Sequence, residues 1–324
     1  MGQLWSVSSL GGYLYSDNLS DYLRTHMQPA SKFRDLCDMK DAGGLHKGQT
    51  FNWNVYSDIS DDGTLGKVGL SETETMPEDE FTITVGSLTI TERGRAVPFT
   101  NKLELLSEHS CQDVIRKVLG DHAVKSHDRA AHAQFALCPL RVVPTGGTAT
   151  SSVTLTTNGT ATLTNNVALG KEHVKSIVDT MKERNIPAYR SGDYYAIGWP
   201  STYRNFKNNL EGIHQYVESG MTKIMNGEMG RYEGTRFLEQ TNVPKGTGST
   251  ANSAWGNSKS DWVFFMGVDT VIEGLSLPEE IRAKTPGDYG RSYGIAWYGL
   301  TGYGLSHTTS NPSQGRIVMW DSAA

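Results

Sequence analysis

Cysteine is scarce in this chain. Cys37, Cys111 and Cys138 are the only three in 324 residues, odd in number and far apart. No C-x-x-C pair occurs, so neither a disulfide framework nor a cysteine zinc site is expected, and a reducing compartment fits. No apolar run approaches the roughly 18 residues a membrane helix needs. The opening MGQLWSVSSLGGYLYS has neither the basic nor the apolar region of a signal peptide. An excess of positive charge is also missing. The formal net charge of −5 argues against a general nucleic-acid binder, although a local basic face remains compatible with it. Site signatures are absent too: no G-x-G-x-x-G follows a strand, and neither G-x-x-x-x-G-K-[ST] nor G-x-S-x-G occurs. The myristoylation-like start at Gly2 and Ser6, and the sequons at Asn18 and Asn158, read as chance matches.

What is abundant is glycine, 35 residues, together with a hydrophobic fraction of 37%. The length fits about two domains. A mean hydropathy of −0.43 predicts many turns around a core of ordinary size. The longest helical pattern runs from Leu106 to Leu137. Ser110-x-x-Asp113 reads as a capping box. Cys111, Val114, Ile115, Val118 and Leu119 recur at helical spacing, and Ala123, Val124, Ala130, Ala131 and Phe135 continue the apolar side. Pro139 stops the helix. At about 1.5 Å per residue it would span about 48 Å, a strut between a strand-rich lobe and a mixed one. Gly120 is a soft point within it, worth about 1 kcal/mol against alanine.

Residues 1–45 show no core-building periodicity beyond a short helical stretch at Tyr13–Met27, and read as an extended arm. In 47–100, Phe51, Trp53 and Val55 alternate with polar residues, as do Phe81, Ile83 and Val85. A bulge or register change is expected at Gly86. Between the two strands lie eight carboxylates and one lysine in residues 57–80. A two-stranded hairpin is marginal alone, so one carrying Phe51, Trp53 and Phe81 predicts a partner. Residues 144–166 are rich in Thr and Gly, with Asn158-Gly159 as a hairpin turn signal. A helix follows over 168–185 through Val174, Ile177, Val178 and Met181. Next come a buried strand at Tyr194–Gly198, a helix from Ser201 through Val217, and a short strand at Arg236–Gln240. Beyond a polar loop at 243–260, Trp262–Ile272 is strand-like. Tyr293–Trp320 predicts a final antiparallel pair, and the class is α+β.

Candidate chemistry is thin. His109, His122, His127 and His132 share the long helix, but the last three are five apart and point to different sides; zinc pairs on a helix need four. The acidic group Glu72, Glu74, Glu78, Asp79 and Glu80 lacks the order of a calcium loop. No metal, cofactor or catalytic residue is assigned. An arm, a docking hairpin and a strut helix point to assembly rather than catalysis. A small-molecule hydrolase and a carbohydrate-binding surface module stand as alternatives.

Residues 224–242, IMNGEMGRYEGTRFLEQTN, carry a resemblance. Gly227-Glu228-x-Gly230 followed by Gly234-x-Arg236-Phe237-x-Glu239 resembles the motif of major capsid proteins of tailed double-stranded DNA phages, in the N4-type podophage subgroup. Trp297-Tyr298-Gly299 and Gly315-Arg316-Ile317-Val318 are similar to that family's ending, while the Thr-rich insert departs from it. The resemblance implies an HK97-like fold. Residues 1–45 would be the N-terminal arm and 46–99 an extended hairpin, the E-loop, crossing a neighbouring subunit. Residues 100–167 would form the peripheral domain with its spine helix, 106–137, and the insert, 144–166. An axial domain over 168–290 would follow, with 291–324 returning to the peripheral domain. Intersubunit contacts would fall to Phe51, Trp53, Asp61, Asp62, Lys67, Phe81, Arg236 and Glu239, and Gly227, Gly230 and Gly234 would allow tight turns. The chain would self-assemble into hexamers and pentamers of an icosahedral virion shell in the host bacterial cytoplasm. It would enclose double-stranded DNA without sequence-specific binding. A portal protein, a separate scaffolding protein and a decoration protein would be its partners, with no membrane involved.

Overall fold

The computed structural model describes residues 28–56, 81–107, 109–144, 153–157, 167–189, 192–214, 230–246, 261–307 and 314–322. In chain order the elements are β1 (Asp38–Asp41), β2 (Thr50–Tyr56), β3 (Ile83–Thr89), β4 (Thr91–Thr100), α1 (Asn101–Leu106) and α2 (Cys111–Phe135). They continue with β5 (Leu140–Pro144), β6 (Val153–Thr157), α3 (Lys171–Glu183), β7 (Tyr194–Gly198), α4 (Arg204–His214), β8 (Arg231–Tyr232) and β9 (Thr235–Glu239). The last are β10 (Asp261–Met266), β11 (Val271–Ala283), β12 (Ser292–Leu305) and β13 (Ile317–Ser322). They build a four-stranded sheet β1-β11-β12-β4, a seven-stranded sheet β6-β5-β13-β10-β7-β9-β8 and a two-stranded ribbon β2-β3.

Helix α2 joins the two larger sheets, and its sequence explains how. Cys111, Ile115, Leu119, Ala123, His127, Ala131 and Phe135 are all buried, one every four residues. On a helix of about 3.6 residues per turn, each step of four turns the buried stripe by roughly 40°, so it winds by about 240° in all. The first half of the stripe therefore faces Phe99, Leu103, Ile295 and Trp297 of the four-stranded sheet and α1. The second half faces Phe264, Met266, Ile317 and Met319 of the seven-stranded sheet. The helix is shorter than Leu106–Leu137. Leu106 closes α1, and Ser110 Oγ, accepting from Asp113 N at 3.3 Å, caps α2.

The other face of the seven-stranded sheet is covered by α3 and α4. Val174, Ile177, Val178 and Met181, at helical spacing, are all buried there beside Phe206, Val263, Phe265 and Trp320. Burial of this kind, on both faces of β7, β10 and β13, accounts for the continuous apolar runs of these strands.

Several expectations change. The strand read over Trp262–Ile272 is two strands in different sheets, broken where Gly267 approaches Pro187; a Cβ there would lie 2.3 Å from the Pro187 carbonyl oxygen. The final antiparallel pair is not a pair. β12 lies between β11 and β4, and β13 lies between β10 and β5. Gly86 is not a bulge, since β2 and β3 stay in register from Thr50↔Thr89 to Tyr56↔Ile83. The break falls at Ile90, after which β4 leaves the ribbon to pair with β12. Residues 28–45, read as the end of an arm, are packed into the body: Phe33 is buried, and β1 runs parallel to β11. The Thr-rich insert contributes β6 as an edge strand antiparallel to β5. Its Asn158-Gly159 turn, and the helical stretch at Tyr13–Met27, lie outside the described residues.

Candidate assembly surface

The β2-β3 ribbon has two different faces. In its register the numbers of paired residues sum to an odd value, so Phe51, Trp53 and Val55 share a face with Leu88, Gly86 and Thr84. That face turns inward. Phe51 and Trp53 pack with Ala42, Leu88, Ile90 and Ile272, and Trp53 Nε1 donates to Ser306 O at 2.8 Å. The contact depends on glycines. A Cβ on Gly86 would stand 2.3 Å from the Trp53 indole, and one on Gly302 would stand 2.6 Å from both Leu88 Cδ1 and Thr89 O. Gly302 and Gly304 therefore lie within β12, underneath the ribbon, and serve close packing rather than turns.

The opposite face carries Ile83 and Val85, each 58% exposed, and Tyr56, 78% exposed; Phe81, just beyond the ribbon, is 58% exposed. Four large apolar side chains in water around one ribbon are unusual for a finished surface. Beneath the ribbon, a cleft of about 840 Å³ runs between Tyr56 and Phe81 on one side and Arg184, His307 and Arg316 on the other. Asp269 is the anion of this floor. It stands 3.2 Å from Arg316 and 3.6 Å from His307, and it accepts from Ser306 Oγ at 2.9 Å. The nearby His307, ahead of Ser306 and Arg316, holds the Asp269 carboxyl below the usual carboxylate range.

The expected contact residues divide accordingly. Phe51 and Trp53 are held by their own chain, because the register turns them inward, while Phe81 is free and outward. Asp61, Asp62 and Lys67 lie outside the described residues. Arg236 and Glu239 are engaged within the chain. Arg236 Nε and Arg231 clamp the buried Asp193 carboxylate at 2.6 and 2.5 Å, and Glu239 meets Lys207 Nζ at 2.7 Å. The β8-β9 turn between them, Glu233-Gly234, has positive φ at both residues (49° and 70°), as a two-residue type I′ hairpin requires. Gly230 also has a positive φ, and Gly227 lies outside the described residues.

Sequence reasoning missed the polar junction where α2 crosses between sheets. Arg34 Nε donates to Glu273 at 3.1 Å, and its guanidinium also bridges to Glu279. Tyr303 OH donates to Glu273 Oε1 at 2.9 Å and stands 3.0 Å from His127 Nδ1. Asp128 Oδ1 accepts from Phe33 N at 2.7 Å, and its Oδ2 from Asn242 Nδ2 at 3.0 Å. Burial, then Arg34, lowers the His127 pKa to about 4, against the pull of Glu279. The junction ties residues 33–34, α2, β11, β12 and the segment after β9 into one unit. No local pattern announces it, because its members are scattered from residue 33 to residue 303. Among the described residues, no three His, Cys, Asp or Glu side chains converge as metal ligands.

No family model and no curated protein matches the chain. Solved structures do. The capsid structure of cyanophage P-SCSP1u superposes with a TM-score of 0.68 at 14% identity, covering 96% of this chain and 93% of that one. The head structure of Helicobacter pylori bacteriophage KHP40 gives 0.67 at 9% identity, covering 95% of each. The capsid of Ralstonia phage GP4 gives 0.65 at 14% identity, covering 100% and 98%. With its two larger sheets, spanning helix and projecting ribbon, this chain has the HK97-like fold of phage capsid subunits.

Proposed function

We propose that this protein is the major capsid protein of a tailed double-stranded DNA phage, of the N4-type podophage subgroup. Copies assemble as hexamers and pentamers into an icosahedral head that encloses DNA without reading its sequence. The observation that carries this reading is the apolar outer side of the ribbon, on a fold shared with phage capsid subunits along almost the whole chain. A lone subunit leaves Tyr56, Phe81, Ile83 and Val85 in water, and a neighbouring copy would cover them. The role is structural rather than catalytic. Nothing among the described residues favours the hydrolase or glycan-binding alternatives.

On this reading residues 1–45 are the arm, whose last part, 28–45, is seated on its own body, and 46–99 are the E-loop, whose base is pinned by Phe51 and Trp53. Phe81 meets the neighbour, with Asp61, Asp62 and Lys67 supplying charge from the segment beyond. Residues 100–167 form the peripheral domain and 168–290 the axial domain, where Arg236 and Glu239 stiffen loops that meet other copies. Residues 291–324 return to the peripheral domain. A portal protein, a separate scaffolding protein and a decoration protein complete the virion, which assembles in the host bacterial cytoplasm.

The purified protein should form particles roughly tens of nanometres across by electron microscopy. The triple variant Phe81→Ser, Ile83→Ser, Val85→Ser should fold as before by circular dichroism yet fail to form them. Burying a large apolar side chain is worth about 1.5–3 kcal/mol, and these are little more than half exposed, so the variant loses about 3–5 kcal/mol per contact. Shells at unchanged protein concentration, or a wild-type protein that stays a 35.5 kDa monomer, would refute the proposal.

A further inference from the structure

The chain is acidic overall, yet where β4 runs beside α2 it gathers positive charge that no carboxylate answers. On α2, His122, Lys125, Ser126 and Arg129 fall within about 100° of one another around the helix axis, at about 100° per residue. On β4, Val97 and Phe99 pack with Ile115, Leu119 and Ala123 of α2. By the strand period of two, Arg95 and Arg93 continue the same side of β4. Arg95 is paired across the sheet with Trp297, whose Nε1 donates to His122 Nδ1 at 3.1 Å. Nδ1 is thereby the acceptor, so the neutral imidazole carries its proton on Nε2 and keeps a donor for an outside group. Burial, then Arg95, Arg129 and Lys125, lowers the His122 pKa. Arg93 lies over the Tyr303 ring at 5.6 Å, and its Nε is buried with no hydrogen-bond partner.

The carboxylates nearby are already engaged. Asp113 stands 3.6 Å from Arg116, and Arg34 bridges Glu273 and Glu279. Asp128 accepts from Phe33 N and Asn242 Nδ2, and Asp121 accepts from Gln28 Nε2. Among the described residues, Arg93, Arg95 and Lys125 have no ion pair, and Arg129 has only a hydrogen bond from its Nε to the Asn242 carbonyl. A half-buried guanidinium without a counter-charge, such as Arg93, favours an anion brought from outside.

We propose that Arg93, Arg95, His122, Lys125 and Arg129 form a contact for the phosphate backbone of nucleic acid, made without regard to sequence. From His122 to Arg129 is about 10 Å along the helix, over which one strand of a duplex presents about three phosphates. An acidic protein segment is the less suited occupant. Protein interfaces draw their affinity from apolar and aromatic anchors. Between His122 and Arg129 this face of α2 offers none, and Val118, a turn earlier, stands alone on it. Phosphate contacts need only charge and donors. That the nucleic acid is met inside a head rests on the shell reading above; the binding itself does not.

The test follows a short fluorescein-labelled DNA duplex of arbitrary sequence by anisotropy, with the full-length protein. Light scattering on the same samples reads shell formation separately, so absent shells and absent DNA binding are distinct results. Four permanent charges on four phosphates give a slope of log affinity against log salt of about −3.6, a loss of about 150-fold between 50 and 200 mM salt. Arg95→Gln, an exposed position, should lower that slope by about 0.9. Arg95→Gln, Lys125→Gln and Arg129→Gln together should reduce the loss to about 4-fold, with an unchanged circular dichroism spectrum. Lys171→Gln, Lys182→Gln and Arg204→Gln, an equal change of net charge on α3 and α4, should leave the slope as it was. No binding at 50 mM salt, or a slope that the Arg95 substitution does not move, would overturn the proposal. Polyglutamate binding more tightly than the duplex would overturn it too, and would assign the face to an acidic protein.

Discussion

Replacing Gly86 by alanine tests the ribbon's attachment most directly. Without tertiary contacts, alanine in mid-strand should help by about 0.5–1 kcal/mol, because glycine loses more backbone freedom on folding. Here the new methyl carbon would sit 2.3 Å from Trp53 Cε2 and Nε1 and 2.6 Å from Cζ2. The ring has little room to retreat. Its Nε1 is tied to Ser306 O at 2.8 Å, and a Cβ on Gly304 would stand only 3.0 Å from the far edge of the indole. The indole must therefore leave its site or the strands must part. Losing the hydrogen bond costs about 1 kcal/mol. Loss of a fully buried tryptophan costs about 3–5 kcal/mol, and Trp53 is only partly buried, so about 2 kcal/mol is the expected share. Urea unfolding followed by circular dichroism should show Gly86→Ala destabilised by about 3 kcal/mol. Amides of β2 and β3 should lose most of their hydrogen-exchange protection. In a Trp53→Ala background the same substitution should be neutral or slightly stabilising, because the clashing partner is gone; the cycle isolates the pair. A Gly86→Ala protein within about 0.5 kcal/mol of wild type, or an undiminished penalty in the Trp53→Ala background, would refute the reasoning.

Gly120 gives the opposite sign: it lies on the exposed side of α2, and a Cβ there meets nothing within 4 Å. Gly120→Ala should raise stability by about 1 kcal/mol, visible as a higher Tm, and a lower Tm would show that the helix needs glycine there. His132 packs among Phe33, Trp262 and Phe264, and burial lowers its pKa from 6.5 to about 4. The unfolded chain then binds the extra proton between pH 6.5 and 4, so folding stability falls as pH drops through that window. Its share of the loss is about 3 kcal/mol. His132→Leu should flatten that part of the stability profile, and an unchanged slope would mean the imidazole is not buried as described.

The local rules carried far. Helical spacing in 168–185 identified four of the five buried residues of α3, all but His173, and Tyr194–Gly198 was legible as a buried strand from composition alone. The Ser110 cap was readable too, because capping involves neighbours three residues apart. The pairing of Arg34 with Glu273 and Glu279 was not legible, since each residue looks like an ordinary surface charge in its own segment. The fourfold repeat of α2 was present in the sequence but hidden by the exposed valines among it. Only the two sheets on either side show that the stripe winds.

The sequence alone determined that β2 and β3 alternate apolar and polar residues, that a long helix separates two kinds of lobe, and that no recognised catalytic motif is present. Tertiary structure decided which way each apolar set points. Alternation has a period of two, so the face a side chain takes depends on the parity of the cross-strand register, and the segment between the strands does not reveal that parity. The register sends Phe51 and Trp53 onto their own chain and leaves Ile83 and Val85 outside. It likewise took three-dimensional packing to separate β12 from β13. Strand partners are chosen by which faces can be buried together, and those faces come from segments far apart in the chain.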